Sequence, residues 1–438
     1  MDGLIMAAQM ILGLSILVGV HEAGHMLAAK FFGMRVEQFA IGFPPKIFNF
    51  TWGETEYSLG AIPLGGFVKI TGMIDESLDT EQMKKEPEPY EFRAKPAWQR
   101  LIVMLGGIIV NVITGVLIFI FLAYNNGESF LAKKELNKSG IFAGSLAKEI
   151  GFRTGDRVVA INGKDFQEFS DLTNPSFLLG DNSYYTVLRN GKEMQIDLPK
   201  GFINQLSSEK KRNEFISPLM TFKVGMVQKG SGADDAGLEK GDKILEVNHS
   251  ATPYFYQFSE LLHSNKGKLV DLLVLRNGKE KLLKAQVSEN GTVGFQVDSQ
   301  LKLSHRDYSF GQAIPAGTKR AFSVVWTNIK AFKKMFSGEL DPRNSLSGPV
   351  KIAQQFGGEF NSTRFWTLTG LLSMVLAFMN LLPIPALDGG HVLFLTVEMV
   401  SGRALPEKFL EVAQKIGMVL LLALMVFVLA NDAIQTWF

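Results

Sequence analysis

The sequence predicts an α-helical polytopic membrane protein of about four transmembrane helices, with a membrane-associated β-hairpin loop and two tandem α+β domains. Three observations predict it. Four runs are long and apolar enough to approach the roughly 20 residues that a bilayer crossing needs. The segment between the second and third runs is polar. That polar segment repeats itself at an almost constant offset. Of 438 residues, 46% are hydrophobic and 20% charged, with 45 Lys+Arg against 43 Asp+Glu and a net charge of +2. This balance excludes a polybasic nucleic-acid binder and an acidic disordered chain, so no nucleic-acid partner is expected. The chain has 0 cysteines, which excludes a disulfide scaffold, a cysteine nucleophile and a thiolate-ligated zinc site.

The first run carries no charge from Gly3 to Val20, and its apolar pattern continues to Phe32. It lacks the positive leader of a signal peptide, having Asp2 instead, and reads as a retained helix. Next, Val36–Thr71 alternates through Phe48, Phe50 and Trp52, turns at Gly53-Glu54 and returns through Tyr57 and Leu59, which reads as a hairpin. Leu101–Tyr124 is the second uncharged run, Phe365–Leu387 the third, and Gly417–Ala430 the core of the fourth.

Lysine and arginine crowd segment 31–100 and the short loop 403–415, and are missing from the N-terminal tip and from 431–438. By the positive-inside rule those two loops are cytoplasmic, with both termini and segment 125–364 outside.

In the polar middle, Ser145–Asn162 matches Ser231–Asn248 at an offset of 86, and Val187–Glu193 recurs unchanged as Val274–Glu280 at 87. Two copies of that length mean tandem domains rather than a solenoid. Each copy carries a Gly-Asp turn before an alternating strand and an Asn-Gly hairpin turn. The pattern A-x-x-x-G-[FL]-x-x-G-D-x-[VI]-x-x-[VI]-N resembles PDZ domains, which implies a groove for peptide ligands that add a strand to a sheet edge. After the repeats, Phe310–Phe336 alternates apolar residues with five Lys and Arg and reads as an amphipathic surface helix. The organisation is therefore 1–125 for two membrane helices and the loop 31–100, 126–218 and 219–306 for the repeats, 307–364 for the surface segment, and 365–438 for the last two helices.

Chemistry concentrates in His21-Glu22-Ala23-Gly24-His25, an H-E-x-x-H. On a helix, residues i and i+4 share a face, so both imidazoles reach one metal ion with Glu22 beside it as general base. The motif continues an apolar helix, where an ionisable residue costs about 2.5–3.5 kcal/mol or more and marks function. A catalytic zinc takes a third protein ligand and leaves one position open. Asp388 and His391 are the candidates, since His249, His263 and His305 fall in the outer domains. At 1.5 Å per residue His21 lies about 27 Å below Gly3, and Asp388 about 35 Å below Phe365, both toward the cytoplasmic side. In Asn380-Leu-Leu-Pro-Ile-Pro-Ala-Leu-Asp-Gly-Gly-His391, Pro383 and Pro385 each remove an amide donor, so the helix breaks at membrane depth. Broken backbone is tolerated there only in protein or beside water, where Asn380 and freed carbonyls can hold a substrate.

His21–His25 in a first membrane helix, Asn380-x-x-Pro-x-Pro-x-Leu-Asp-Gly-Gly390 in a later one and two PDZ-like repeats between them resemble the site-2 protease family of intramembrane zinc metalloproteases. The tandem repeats resemble its bacterial type that regulates the sigma-E response. The resemblance implies that His21, His25 and Asp388 bind Zn2+ and that Glu22 is the catalytic base. Asn380, Pro383 and Pro385 would position substrate. It also implies that the hairpin, with Ile41-Gly42-Phe43-Pro-Pro45 at its bend, dips into the membrane near the metal, so that Gly42 and Phe43 meet substrate. The expected partner is a single-pass transmembrane protein, a pre-trimmed anti-sigma factor cut by regulated intramembrane proteolysis in an envelope stress response. The expected location is the bacterial cytoplasmic (inner) membrane, in contact with the lipid bilayer, with the PDZ-like domains and both termini on the periplasmic side. The competing readings are a catalytically inactive membrane scaffold presenting PDZ domains and a metal transporter. Neither gives Glu22 a role, and the second would want more polar residues in Leu101–Tyr124 than Asn111 and Thr114.

Overall fold

The computed structural model describes residues 2–73, 86–206, 211 and 214–437. It divides into two compact units, Met1–Glu128 with Asp307–Phe438, and Ser129–Arg306.

In the first unit, helix α1 (Asp2–Phe31) leads into strands β1 (Val36–Trp52) and β2 (Thr55–Ile70), and then helix α2 (Ala97–Asn126). After the inserted unit come α3 (Phe310–Phe336), α4 (Pro349–Phe356), α5 (Ser362–Leu381), α6 (Asp388–Ser401) and α7 (Glu407–Trp437). Among the described residues four helices are long and apolar enough to cross a membrane: α1, α2, α5 and 408–434 of α7. On α2 the residues Ile109, Ile113, Leu117 and Phe121 form an exposed stripe at i, i+4 spacing. Such a stripe suits lipid, which solvates apolar side chains as well as a protein core does. The opposite face of α2 is small. A Cβ on Gly24 would sit 2.3 Å from the carbonyl oxygen of Gly106, so glycine at both positions is what lets α1 and α2 touch backbone to backbone.

The hairpin turns at Gly53-Glu54 and then folds on itself. Phe39 pairs with Val68 on one side and Tyr57 on the other, while Phe50 also pairs with Tyr57. One hairpin thus makes four ladder segments, with 66–70 at one edge. The bend falls at Gly42, whose φ of +84° a side chain would resist. A Cβ there would also lie 2.9 Å from the Gly60 carbonyl oxygen.

The third apolar run breaks at the proline cluster, as expected. Helix α5 ends at Leu381, the chain turns, and α6 begins at Asp388. Prolines 383 and 385 disfavour helix at the residue before each and remove two donors. Ala386 completes the turn with φ +79°, a strained value for a side-chain-bearing residue. A Cβ on Gly389 would lie 2.2 Å from the Leu382 carbonyl oxygen, so the small residues after Asp388 let the turn close on the new helix. Asp388 is therefore placed by a turn, and not by a straight helix running from Phe365.

Helix α3 packs its small face, Ala313, Gly317 and Ala321, inward. A Cβ on Gly317 would lie 2.4 Å from the backbone nitrogen of Ile120 in α2. Its other face exposes Phe310, Phe322 and Trp326.

The second unit contains two modules built alike. One has a sheet of Arg157–Ile161, Tyr184–Arg189 and Lys192–Asp197, and the other has Lys243–Val247, Leu269–Arg276 and Lys279–Gln286 in the same order. Even the ladder irregularity recurs, between Val158 and Ala160 and between Ile244 and Glu246. Both Asn-Gly turns have positive φ at both residues, as a two-residue hairpin requires. Each Gly-Asp turn does more than turn the chain. Asp156 accepts two bonds of 2.7 Å from Arg189, and Asp242 accepts bonds of 2.7 and 2.6 Å from Arg276. The modules differ where Pro175 interrupts the first. Helix Phe255–Ser264 corresponds to two short helices, Phe169–Leu172 and Pro175–Leu178, with Asn174 capping the second.

Candidate active site

His21, Glu22 and His25 leave the same stretch of α1. Imidazole His25 is buried, and its Nδ1 lies 2.8 Å from the Val103 carbonyl oxygen of α2. A carbonyl can only accept, so Nδ1 carries the proton and the Nε2 lone pair is left free for a ligand. That lone pair faces His21 Nε2 at 3.2 Å and Asp388 Oδ2 at 3.4 Å, and Asp388 Oδ2 is 3.1 Å from His21 Nε2. The close approach of α2 is again a glycine effect. A Cβ on Gly107 would lie 2.5 Å from His25 Nε2 and 2.6 Å from His21 Cε1.

The donor set fits a zinc ion. Ligands about 2.0–2.1 Å from a tetrahedral ion lie about 3.3 Å from one another. The three atoms here are 3.1–3.4 Å apart. Asp388 Oδ2 is buried and has no hydrogen-bond donor among the described residues. A buried carboxylate oxygen aimed at an imidazole lone pair needs a cation between them. The cluster His21, His25, Asp388 is the one group of three such ligands found among the described residues. His391, the alternative third ligand, lines the adjoining cavity and is not in the cluster.

That cavity measures about 670 Å³. Its wall includes Glu22, Asn111, Asn380, Phe43 and the strand 65–70. Glu22 lies against the hairpin edge, where a Cβ on Gly66 would be 3.3 Å from its Cγ. Asn380 places its amide 3.2 Å from His21 Nε2. Of the residues expected to meet substrate, Asn380 and Phe43 therefore face the cavity. Gly42, Pro383 and Pro385 do not line it. Gly42 shapes the bend behind Phe43, and Pro385 packs its carbonyl against α7, where a Cβ on Gly417 would meet it at 1.8 Å. Four polar cavity residues carry no functional assignment from sequence, Gln38, Lys69, Asn111 of α2 and Gln414 of α7. For Asn111 the available signal is an amide inside an apolar run, which is costly in a membrane unless it is used.

A glutamate and two histidines on a helix long and apolar enough to span a bilayer, with an aspartate brought beside them, define a membrane-embedded metallopeptidase. The family model of peptidase family M50 matches residues 9–424, and the chain belongs to that family. It is 29% identical to the regulator of sigma-E protease RseP of Escherichia coli, across 97% of each chain. It is 28% identical to the regulator of sigma E protease of Haemophilus influenzae, across 97% of this chain and 98% of that one. A protein of Neisseria meningitidis provisionally named a zinc metalloprotease is 27% identical, across 96% of this chain and 97% of that one. The protein is thus a zinc metallopeptidase of the site-2 protease kind.

Proposed function

We propose that this protein hydrolyses a peptide bond within the transmembrane segment of a single-pass membrane protein. His21, His25 and Asp388 hold zinc, and Glu22 is the general base. The observation that carries this reading is the convergence of the three ligand atoms, within 4.8 Å of one another, on a cavity that also contains Glu22. When bound, zinc supplies Lewis-acid chemistry at a water and at the scissile carbonyl. Glu22 takes the water proton and returns it to the leaving amine. The Asn380 amide, beside His21, is placed to hold a substrate carbonyl. Strand 66–70 pairs with residues 36–41 at the margin of the sheet and lines the cavity. A sheet margin there suits a substrate unwound from helix to strand, whose amides a protease must reach.

Two relatives are named for regulation of sigma E, and we read the substrate as an anti-sigma-factor-like protein, already trimmed outside, in the inner membrane of a bacterium. The charge pattern of the loops supports a cytoplasmic hairpin, with residues 129–306 and both termini periplasmic. We read the two repeated modules as PDZ-like domains that take peptide ligands or hinder untrimmed substrates, and α3 as a helix that meets the outer membrane surface. Two measurements on the purified chain test the core of this function, metal content and cleavage of a transmembrane peptide by wild type and Glu22→Gln. Zinc in both with cleavage by wild type alone is expected. Equal handling of the peptide by both would favour the scaffold reading.

A further inference from the structure

Asn111 sits near the middle of α2 with 0% of its surface exposed. Its Nδ2 lies 3.2 Å from Nδ1 of His21, and its Oδ1 is buried without a partner among the described residues. Ser373 of α5 donates to the Asn111 backbone carbonyl at 2.7 Å, which fixes this residue between α1 and α5. The amide oxygen and nitrogen of an asparagine exchange places on a half-turn about the last torsion, and hydrogen bonding decides which is correct. With its nitrogen toward His21, the amide donates to Nδ1, which puts the His21 proton on Nε2, the atom that faces Asp388 and His25. Turned over, Oδ1 accepts from Nδ1–H, the amide nitrogen takes the other buried position and Nε2 presents the lone pair that a metal ligand needs.

We infer that Asn111 is a positioning residue that holds His21 in its metal-binding tautomer by accepting the Nδ1 proton through its side-chain oxygen. Helix α2 then orients both imidazoles. Val103 uses a backbone carbonyl for His25, and Asn111 uses a side chain for His21. A ligand imidazole whose second nitrogen is anchored this way binds metal about 10–100-fold more tightly than one left free.

This inference rests on the reading of His21 as a zinc ligand, and the test separates the two. Zinc affinity of the full chain in detergent is measured by competition with a chelator of known affinity, for wild type, Asn111→Leu and Asn111→Asp. Leucine fills the same space without a polar atom, and aspartate keeps the acceptor but has no donor. Nitrogen-15 shifts of the His21 ring in the zinc-loaded protein report the tautomer. Expected are a 10–100-fold loss of affinity in Asn111→Leu, near-wild-type affinity in Asn111→Asp, and a protonated Nδ1 in wild type. Affinity in Asn111→Leu within twofold of wild type overturns the inference. So does a loss in Asn111→Asp as large as in Asn111→Leu, because the amide would then act as a donor or as filler. If Asn111→Leu does not fold, the aspartate variant and the ring shifts decide alone. Wild type that binds no zinc refutes the metal-site reading itself and this inference with it.

Discussion

Asp388 Oδ2 lies 3.1 Å from Nε2 of His21, bringing together residues from opposite ends of the chain. A carboxylate and an imidazole at that distance are either an ion pair or two ligands of one ion. The buried His25 Nε2 beside both favours the second. The site therefore depends on α1, α2 and α6 holding their relative places.

Glu22→Gln keeps the size and hydrogen-bonding reach of the side chain but not its basicity. Peptide cleavage is expected to fall by about 10²–10⁴-fold, the usual contribution of a general base. Metal content should stay at that of wild type, since Glu22 is not among the three clustered ligands. Elemental analysis beside a cleavage assay checks both halves.

Asp388→Ala removes the anionic ligand and leaves two imidazoles. Zinc should dialyse away against a chelator that leaves wild type loaded, and cleavage should be lost with it. His391→Ala should keep its zinc under the same dialysis. Zinc lost from the His391 variant and kept by the Asp388 variant would reverse the ligand assignment.

Gly107→Ala tests whether the contact between α1 and α2 shapes the site. The added methyl meets His25 Nε2 at 2.5 Å and His21 Nδ1 at 2.7 Å, so the imidazoles must move. Zinc affinity is expected to drop while the helix content seen by circular dichroism is unchanged. Gly3→Ala, which meets nothing within 4 Å, is the matched control on α1 and should behave as wild type.

Asp242 ties acidity to the stability of the second repeated module. Burial pushes its carboxyl up, but the hydrogen bonds from Arg276, the Glu239 amide and the nearby positive charges outweigh that and hold it below the usual range. A depressed carboxylate adds stability above its unfolded pKa of about 3.9 and loses it as pH falls through the lower folded value. Asp242→Asn should therefore lower the protection of strands Lys243–Val247 and Leu269–Arg276 at pH 7, by about 3 kcal/mol for a broken buried pair. The gap from wild type should begin to close below about pH 4, where the unfolded carboxylate protonates, and should vanish as pH falls through the lower folded value. Hydrogen exchange on the full chain reads both. A gap that does not narrow as pH falls below about 4 would assign the loss to packing instead.

What could be read along the chain was whatever depends on near neighbours. His21 and His25 share a helix face because four residues make about one turn. The spans follow from runs of apolar residues, the hairpin turns from Gly53 and the two Asn-Gly pairs, and the duplication from its constant offset. The tertiary structure decided what depends on distance through space. It put Asp388 rather than His391 in the cluster, because the proline turn starts α6 at Asp388 and closes over Gly389 and Gly390. It turned Pro385 toward Gly417 and away from the cavity. It brought Asn111 to His21 across a glycine-lined contact that no spacing along one helix encodes. A side chain's partner on another helix depends on how the two backbones pack, and here that packing rests on Gly24, Gly106 and Gly107.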